Sequence, residues 1–454
     1  MAEAIVVGGG IAGLACGLRL HAAGVDVEVW EEEDEPGGHV RTIAEEGFRM
    51  ERGPHTFLGS SDDVFALAAE AGAEAELVPA LASSAVRFIA RGGRLHEVFT
   101  GPIGFLRSGL ISWRGKWDLA TEVLRTRRGR EDDSAAEFFE RRFGPEAARV
   151  LAGAFVSGVY AGDPERLSAP AAFPLFWGFE KEWGGMVRGG VRHMLARRRA
   201  RRALGAAAPP LRKGLWSLRG GLGTLSRAAA RTLGSALVSS CGAASIARDG
   251  VAWRVSAGSR EAQARFVVVA APPPRASVLL AAVDRDLGEA IAGVAMAPLA
   301  VAHLGFRGRL AEIPDAFGFL VPRGEGIRTL GVLFPSRMFG DRAPAGGDLL
   351  TGFVGGSMDR AAMDLEDGDL VRTVMDDVGR LTGLAREPDH VRVLRYAAAI
   401  PQLEHGHLGR MRAVRKRLSA LPGLVLAGNY LGGVGMKDAI GSGMEAAARV
   451  IEES

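Results

Sequence analysis

The chain opens on "AIVVGGGIAGLACGLRL", residues 4–20, and no other stretch restricts its fold as tightly. An apolar strand runs into Gly8, Gly10 and Gly13, a G-x-G-x-x-G turn, and on into a helix. The glycines allow a tight turn and close backbone approach, while the helix start at Ile11 and Ala12 offers N–H groups and positive dipole to a pyrophosphate. Glu31, eighteen residues past Gly13, closes the next strand, "VDVEVWEEE", where an acid holds the ribose hydroxyls of a dinucleotide. The first strand is apolar throughout from Ala4 to Val7, and the second sets Val25, Val27, Val29 and Trp30 into its run, which suits a buried parallel sheet. Alone, the motif specifies FAD or NAD, with an ordinary glycine turn as the alternative.

Composition narrows the class. With 47% hydrophobic and 24% charged residues over 454 positions, the chain can bury a large core and is long enough for two or three structural units. Cys16 and Cys241 are the only cysteines, which excludes a disulfide framework or a zinc or iron–sulfur site and suits a reducing compartment. A core strand by residue 4 leaves no room for a secretion signal, so none is expected. No run of eighteen apolar residues occurs, so no membrane-spanning helix is expected either.

The formal net charge is +3, but it is unevenly spread. Residues 188–213, "RGGVRHMLARRRARRALGAAAPPLRK", hold nine Arg or Lys and no acid. This is either a solvated basic segment or one drawn to anionic lipid, where each basic residue near the surface is worth about 1 kcal/mol. Nucleic acid is not expected, because no recognised binding motif accompanies the charge. The texture from about 100 to 210 is helical, and Trp113, Trp117, Trp177 and Trp183 all fall there. They form either ordinary core or an aromatic and basic surface lying on a bilayer.

Further along, "TIAEEGFRMERGPHTF" reads as a hairpin and residues 62–78 as a helix. "SALVSSCGAASIARDGVAWRVSAG" and "ARFVVVAAPPP" read as a β-meander and a buried strand. Residues 298–400 mix strands ("LAVAHLGF", "FGFLVP", "TLGVLF", "LLTGFVGG") with a helix around "DGDLVRTVMDDVGRLTG".

Two more glycine turns decide between FAD and NAD. "EPGGHVRT" places Gly37, Gly38 and Arg41 just beyond Glu31, where many two-domain flavoproteins set a turn against the FAD pyrophosphate. Arg41 reads as a phosphate partner, a surface charge being the alternative. Near the other end, Gly428 and Asn429 close a strand, and Gly432 to Gly435 open a helix beginning at Met436. That second helix start suits the electron-rich N1–C2=O edge of a flavin. FAD is long enough to need all three cradles, and non-covalent FAD is therefore the expected cofactor.

At this point the chain resembles the FAD-dependent amine oxidase and phytoene desaturase superfamily, and within it the oxygen-dependent protoporphyrinogen oxidases. The resemblance runs from residue 4 to about 450. It is carried by "SGVYAGDPERLS" (157–168), "FGFLVP" (317–322), "TLGVLFPSRMFGDRAP" (329–344), "FVGG" (353–356), "IPQLEHGHL" (400–408) and "GNYLGGVGMKDAI". It implies an α/β fold: a Rossmann-like FAD-binding domain (1–80, 211–285, 415–454), a mixed α+β substrate domain (81–98, 286–414) and an inserted, mostly helical, membrane-associating domain (99–210). It also implies cofactor contacts at Gly53, Pro54, His55, Thr56, Ala243, Ala271 and Met436. The chain departs from the family pattern at His55, where many members have Asn, and at Pro335, where a small polar residue often follows the pocket leucine.

By the same resemblance the substrate is a porphyrinogen, a large apolar macrocycle with carboxylates at its rim, and oxygen is the acceptor. Leu320 and Leu333 would cover one side of the ring, Phe353 the other, and Arg87 would pair with a propionate. The backbone at Gly158 would approach the macrocycle. Hydride loss from a methylene bridge to flavin N5 needs no strong protein base, so no catalytic side chain is expected. The implied reaction is protoporphyrinogen IX oxidation, and the basic, Trp-rich region from about 100 to 210 would hold the enzyme at the cytoplasmic membrane face. Coproporphyrinogen III oxidation is the near alternative, and an amine oxidase or a porphyrin-carrying flavoprotein the distant ones. Amine oxidases usually place a lysine near flavin N5, yet no Lys occurs between residues 214 and 415.

Overall fold

The structure, a computed structural model, describes residues 2–99, 101–126, 128–205 and 212–454; residues 206–211 of the basic run lie outside the described residues. The chain divides into two compact units, one of residues 1–80, 213–295 and 407–454, the other of residues 81–212 and 296–406.

The first unit is built on a sheet in which Leu237–Val238, Val27–Trp30, Ala2–Val7 and Arg260–Val269 lie parallel in that order. Arg260–Val269 serves two sheets' worth of neighbours. Its polar first half, "REAQA", pairs antiparallel with Ala252–Ala257, which pairs in turn with Ser245–Asp249. Its apolar second half, "FVVV", takes Leu424–Leu426 as a parallel neighbour, Val267 opposite Leu424. That composition shift follows burial: a parallel core strand is covered on both faces. Val6, Phe266 and Val268 point to one apolar layer, with the helices Ile11–Ala22 and Met436–Glu453. Ile5, Val7, Val267 and Val269 point to the other, with Pro273–Ala281 and Arg285–Ala292.

The hairpin expected after the second glycine turn is present as Thr42–Glu45 and Phe48–Glu51. The helix expected over 62–78 ends earlier, at Glu70. Gly72 takes φ +67°, a left-handed conformation that stops the helix, and Leu77–Pro79 is a strand.

The second unit holds a seven-stranded sheet in the order His390–Pro401, Met296–Phe306, Asp348–Gly355, Gly331–Leu333, Gly318–Leu320, Phe88–Arg91, Arg94–Glu97. The twelve-residue edge strand His390–Pro401 was not among the strands expected from sequence, because Arg392 and Arg395 interrupt its apolar pattern. Helix Asp367–Thr382 packs on one face of the sheet, where Phe319, Val332, Leu350 and Val354 are buried. Residues 101–204 are mostly helical, as expected. There Arg142 and Glu122 are fully buried against each other, and Glu122 also accepts the backbone N–H groups of Met186 (2.8 Å) and Val187 (3.2 Å) at the start of helix Met186–Leu204.

Candidate functional site

The first unit assembles its three glycine turns from segments far apart in sequence. Gly8 sits at φ +106°, and a β-carbon on Gly13 would lie 1.8 Å from the Gly8 carbonyl oxygen, so the helix can start only over bare glycine. At Gly10, by contrast, a β-carbon would meet nothing within 4 Å. Leu14 N–H already bonds Gly10 O (2.9 Å), which leaves the amides of Ile11, Ala12 and Gly13 without an intrahelical acceptor. Open space beside free helix-start amides is what a pyrophosphate requires, and the residues fit it.

Gly37 N–H donates to Gly9 O at 2.8 Å, joining the second turn to the first. Both Gly37 (φ +114°) and Gly38 (φ +57°) use positive φ. Arg41 is buried rather than a surface charge; its Nε donates to Gly38 O at 3.0 Å and its guanidinium meets the Glu33 carboxylate. It therefore braces the turn, with its charge already paired. Arg52 N–H donates to Arg41 O (2.9 Å), which brings the segment Gly53, Pro54, His55, Thr56 alongside; His55 Nδ1 lies 3.1 Å from Gly53 O. Glu31 accepts from Gly9 N–H (2.6 Å) through one oxygen and from Glu33 N–H (2.9 Å) through the other. Each oxygen keeps a further lone pair for a ribose hydroxyl. Cys241 N–H donates to Glu31 O (2.7 Å), and Ala243 and Ala271 share one buried cluster, Ala271 N lying 3.2 Å from where a Gly8 β-carbon would be.

The C-terminal turn is held by side chains. Gly428 N–H donates to Ser442 Oγ (3.0 Å) and Asn429 Nδ2 to Val434 O (2.8 Å). Asp438, which the sequence reading missed, accepts from Val434 N–H (3.2 Å) and Gly435 N–H (2.9 Å). An acid three residues past the helix N-cap is a known start signal and could have flagged it. The amides of Met436 and Lys437 are left at the helix start.

The second unit carries the residues expected to meet substrate. Its sheet register sets Ile89 beside Leu320, Leu320 beside Gly331, Gly331 beside Phe353 and Phe353 beside Val301. Leu333 stands one row along, beside Gly318 and Thr351. All lie on the face opposite helix Asp367–Thr382. Leu320, Leu333 and Phe353 are only half-buried, whereas Phe319, Val332 and Val354 on the helix side are buried. Leu320 and Phe353 flank a glycine, two strand spacings or roughly 9–10 Å apart. Gly331 was not singled out from sequence, although a strand-interior glycine signals close approach. Gly158, in a π-wound helical turn (Val156–Tyr160), abuts this row: a β-carbon there would sit 2.3 Å from Leu320 Cδ2. Arg87 is exposed, its guanidinium 5.3 Å from the Phe317 ring centroid.

Residues 11–451 match the model of the flavin containing amine oxidoreductase family, and the chain belongs to that family. It is an FAD-dependent oxidoreductase. It is 31% identical to "Protoporphyrinogen oxidase, mitochondrial" of Nicotiana tabacum, over 98% of this chain and 94% of that one. It is 26% identical to "Coproporphyrinogen III oxidase" of Bacillus subtilis, over 97% and 96% respectively. A crystal structure from Exiguobacterium sp. 255-15, described as a candidate protoporphyrinogen oxidase, superposes with a TM-score of 0.84 at 25% identity, covering 99% of each chain.

Proposed function

We propose that this chain oxidises a porphyrinogen, protoporphyrinogen IX to protoporphyrin IX, removing six hydrogens while three O2 become three H2O2. The observation that carries the reading is the half-buried face on which Leu320 and Phe353 flank Gly331. A porphyrinogen, its pyrroles joined by methylene bridges, is a puckered apolar macrocycle, and half-buried apolar side chains of this kind suit its body. Leu333 extends the apolar wall, and Arg87, exposed near one end of the face, pairs with a rim propionate. These residues orient the ring and keep water from it. Bound FAD supplies the hydride acceptor and the route of electrons to oxygen. Coproporphyrinogen III, with four rim carboxylates, is the second reading, favoured by a second arginine, Arg323, toward the opposite end of the face.

Membrane contact is part of the proposal. Of twenty-two exposed large apolar side chains among the described residues, fourteen lie between Ile103 and Leu195, so the apolar surface is concentrated in the helical segment. Trp113 and Trp117 are each 70% exposed, which argues against ordinary core at those two positions. Along helix Met186–Leu204, Val187, Val191, Met194 and Leu195 form an exposed apolar stripe among arginines, the pattern of a helix lying in an anionic interface. No helix among the described residues is long and apolar enough to cross a membrane.

The test is direct. Each porphyrinogen is given anaerobically to the yellow holoenzyme, then air is admitted and porphyrin fluorescence followed. Flavin bleaching, recovery in air and fluorescent product support the reading; a flavin that neither porphyrinogen bleaches overturns it.

A further inference from the structure

We infer that Arg323 is a second carboxylate-recognising residue, set at the opposite end of the macrocycle face from Arg87, so that the site distinguishes a tetracarboxylate from a dicarboxylate macrocycle. The inference rests on the porphyrinogen reading and adds to it the substrate's second charged edge.

Arg323 follows Leu320 by three residues, in the loop joining Gly318–Leu320 to Gly331–Leu333. That loop is pinned. Asp377 accepts the N–H groups of Arg328 (3.1 Å) and Thr329 (2.9 Å) and the Thr329 hydroxyl (2.7 Å). Glu325 accepts Gly92 N–H (2.8 Å), and Arg380 donates to Gly326 O (2.9 Å). The arginine thus hangs from a fixed backbone.

Its charge is poorly answered. Arg323 is half-buried, its Nε is buried with no hydrogen-bond partner, and its one hydrogen bond among the described residues is a long one, 3.3 Å, to Gly355 O. Asp359 is close enough to act on it electrostatically but is already gripped by Arg328 at 2.7 and 3.1 Å. Asp163, also within electrostatic reach, accepts Glu165 N–H at 2.9 Å through one oxygen. Burial pulls the guanidinium below its usual range, as expected for a cation lacking a close counter-ion. A guanidinium left this way costs free energy that an incoming carboxylate recovers, and its fork suits that group.

Position supplies the ligand's identity. Gly355 is two residues past Phe353, and Asp163 two past Ala161, which clusters with Leu299, Val301 and Leu330 beside Phe353. At the other end, Phe88 pairs with Phe319, so Arg87 stands level with Gly318. Arg323 lies in the loop past the other end of that three-residue strand, so the two arginines stand toward opposite ends of Gly318–Leu320. Protoporphyrinogen IX carries its two propionates on adjacent pyrroles, at one edge. Coproporphyrinogen III carries one on every pyrrole and can reach both arginines.

Coproporphyrin III and protoporphyrin IX, the stable products, are titrated against holoenzyme and affinities read from fluorescence quenching. In Arg323→Gln, coproporphyrin should bind roughly tenfold or more weakly, the cost of one charge-assisted hydrogen bond, with protoporphyrin changed less than about twofold. Arg323→Lys should keep most of the preference, which a merely structural role would not predict. Arg87→Gln should weaken both. If Arg323→Gln affects neither porphyrin, or both equally, while Arg87→Gln weakens them, the inference falls and the porphyrinogen reading stands. Wild-type holoenzyme that neither binds nor oxidises either macrocycle removes both.

Discussion

Gly443 lies against Ala12 so closely that a β-carbon at 443 would sit 2.1 Å from the Ala12 carbonyl oxygen. The two residues belong to helices Met436–Glu453 and Ile11–Ala22, whose starts carry the last and first glycine turns. The contact packs these two elements, about four hundred residues apart in sequence, against each other, as a cradle for one long cofactor would require. Gly443→Ala must push the helices apart, and overpacking of this kind costs about 1–3 kcal/mol. The variant should melt at lower temperature without FAD and bind FAD more weakly in equilibrium dialysis. Wild-type values for both would show that the helix spacing does not matter to the cradle.

The glycine turns themselves were legible beforehand, because such turns, a strand-ending acid and helix starts are local features with local causes. Gly8, Gly13, Glu31 and Gly37 could each be picked from their neighbours. What was hidden is long-range. That Arg41 braces Gly38, that Asp438 occupies two amides of the C-terminal turn, and that Leu320 and Phe353 share a row across Gly331 all depend on pairings no short window contains. Strand His390–Pro401 was lost for another reason: on an edge, its exposed arginines break the apolar run by which core strands are recognised.

Glu146 gives a pH prediction. Burial opposes its charge, but hydrogen bonds from the Ser112 hydroxyl and backbone N–H, with Arg91 at 2.8 Å, hold its carboxyl down to about 2. A depressed folded-state value contributes stability above the unfolded value near 4.5, and that contribution is lost as pH falls toward 2. With solvent screening it amounts to about 1–2 kcal/mol. Glu146→Gln should therefore be less stable than wild type at pH 7, with the gap closing on acidification to pH 2–3. Denaturant titrations at several pH values check this; a gap independent of pH refutes the assignment.

The exposed tryptophans should anchor the protein to lipid. Wild type should co-sediment with liposomes containing anionic lipid and be released by salt, since surface attraction is screened over roughly 10 Å at 0.1 M. Replacing Trp113 and Trp117 together by Ala should cut binding several-fold without affecting flavin content, because both side chains are 70% exposed. Equal binding to neutral liposomes, or none to either kind, counts against the interface.

Arg87 and Phe353 should separate kinetically. Arg87 is exposed, and its proposed place is at the macrocycle's charged rim, away from the methylene bridge that loses hydride. An interaction there is the same in ground and transition states, so Arg87→Ala should raise KM roughly ten- to hundredfold and leave kcat nearly unchanged. Phe353 instead stands beside Gly331 on the half-buried apolar face. Phe353→Ala removes one wall, lets the ring tilt, and should lower kcat more than it raises KM, because orientation is lost where the reacting carbon must be held. Steady-state kinetics with protoporphyrinogen IX on both variants, normalised to bound flavin, separates the two. An Arg87→Ala enzyme with unchanged KM, together with a fully active Phe353→Ala enzyme, would place the substrate elsewhere and leave the FAD cradle as the only assigned site.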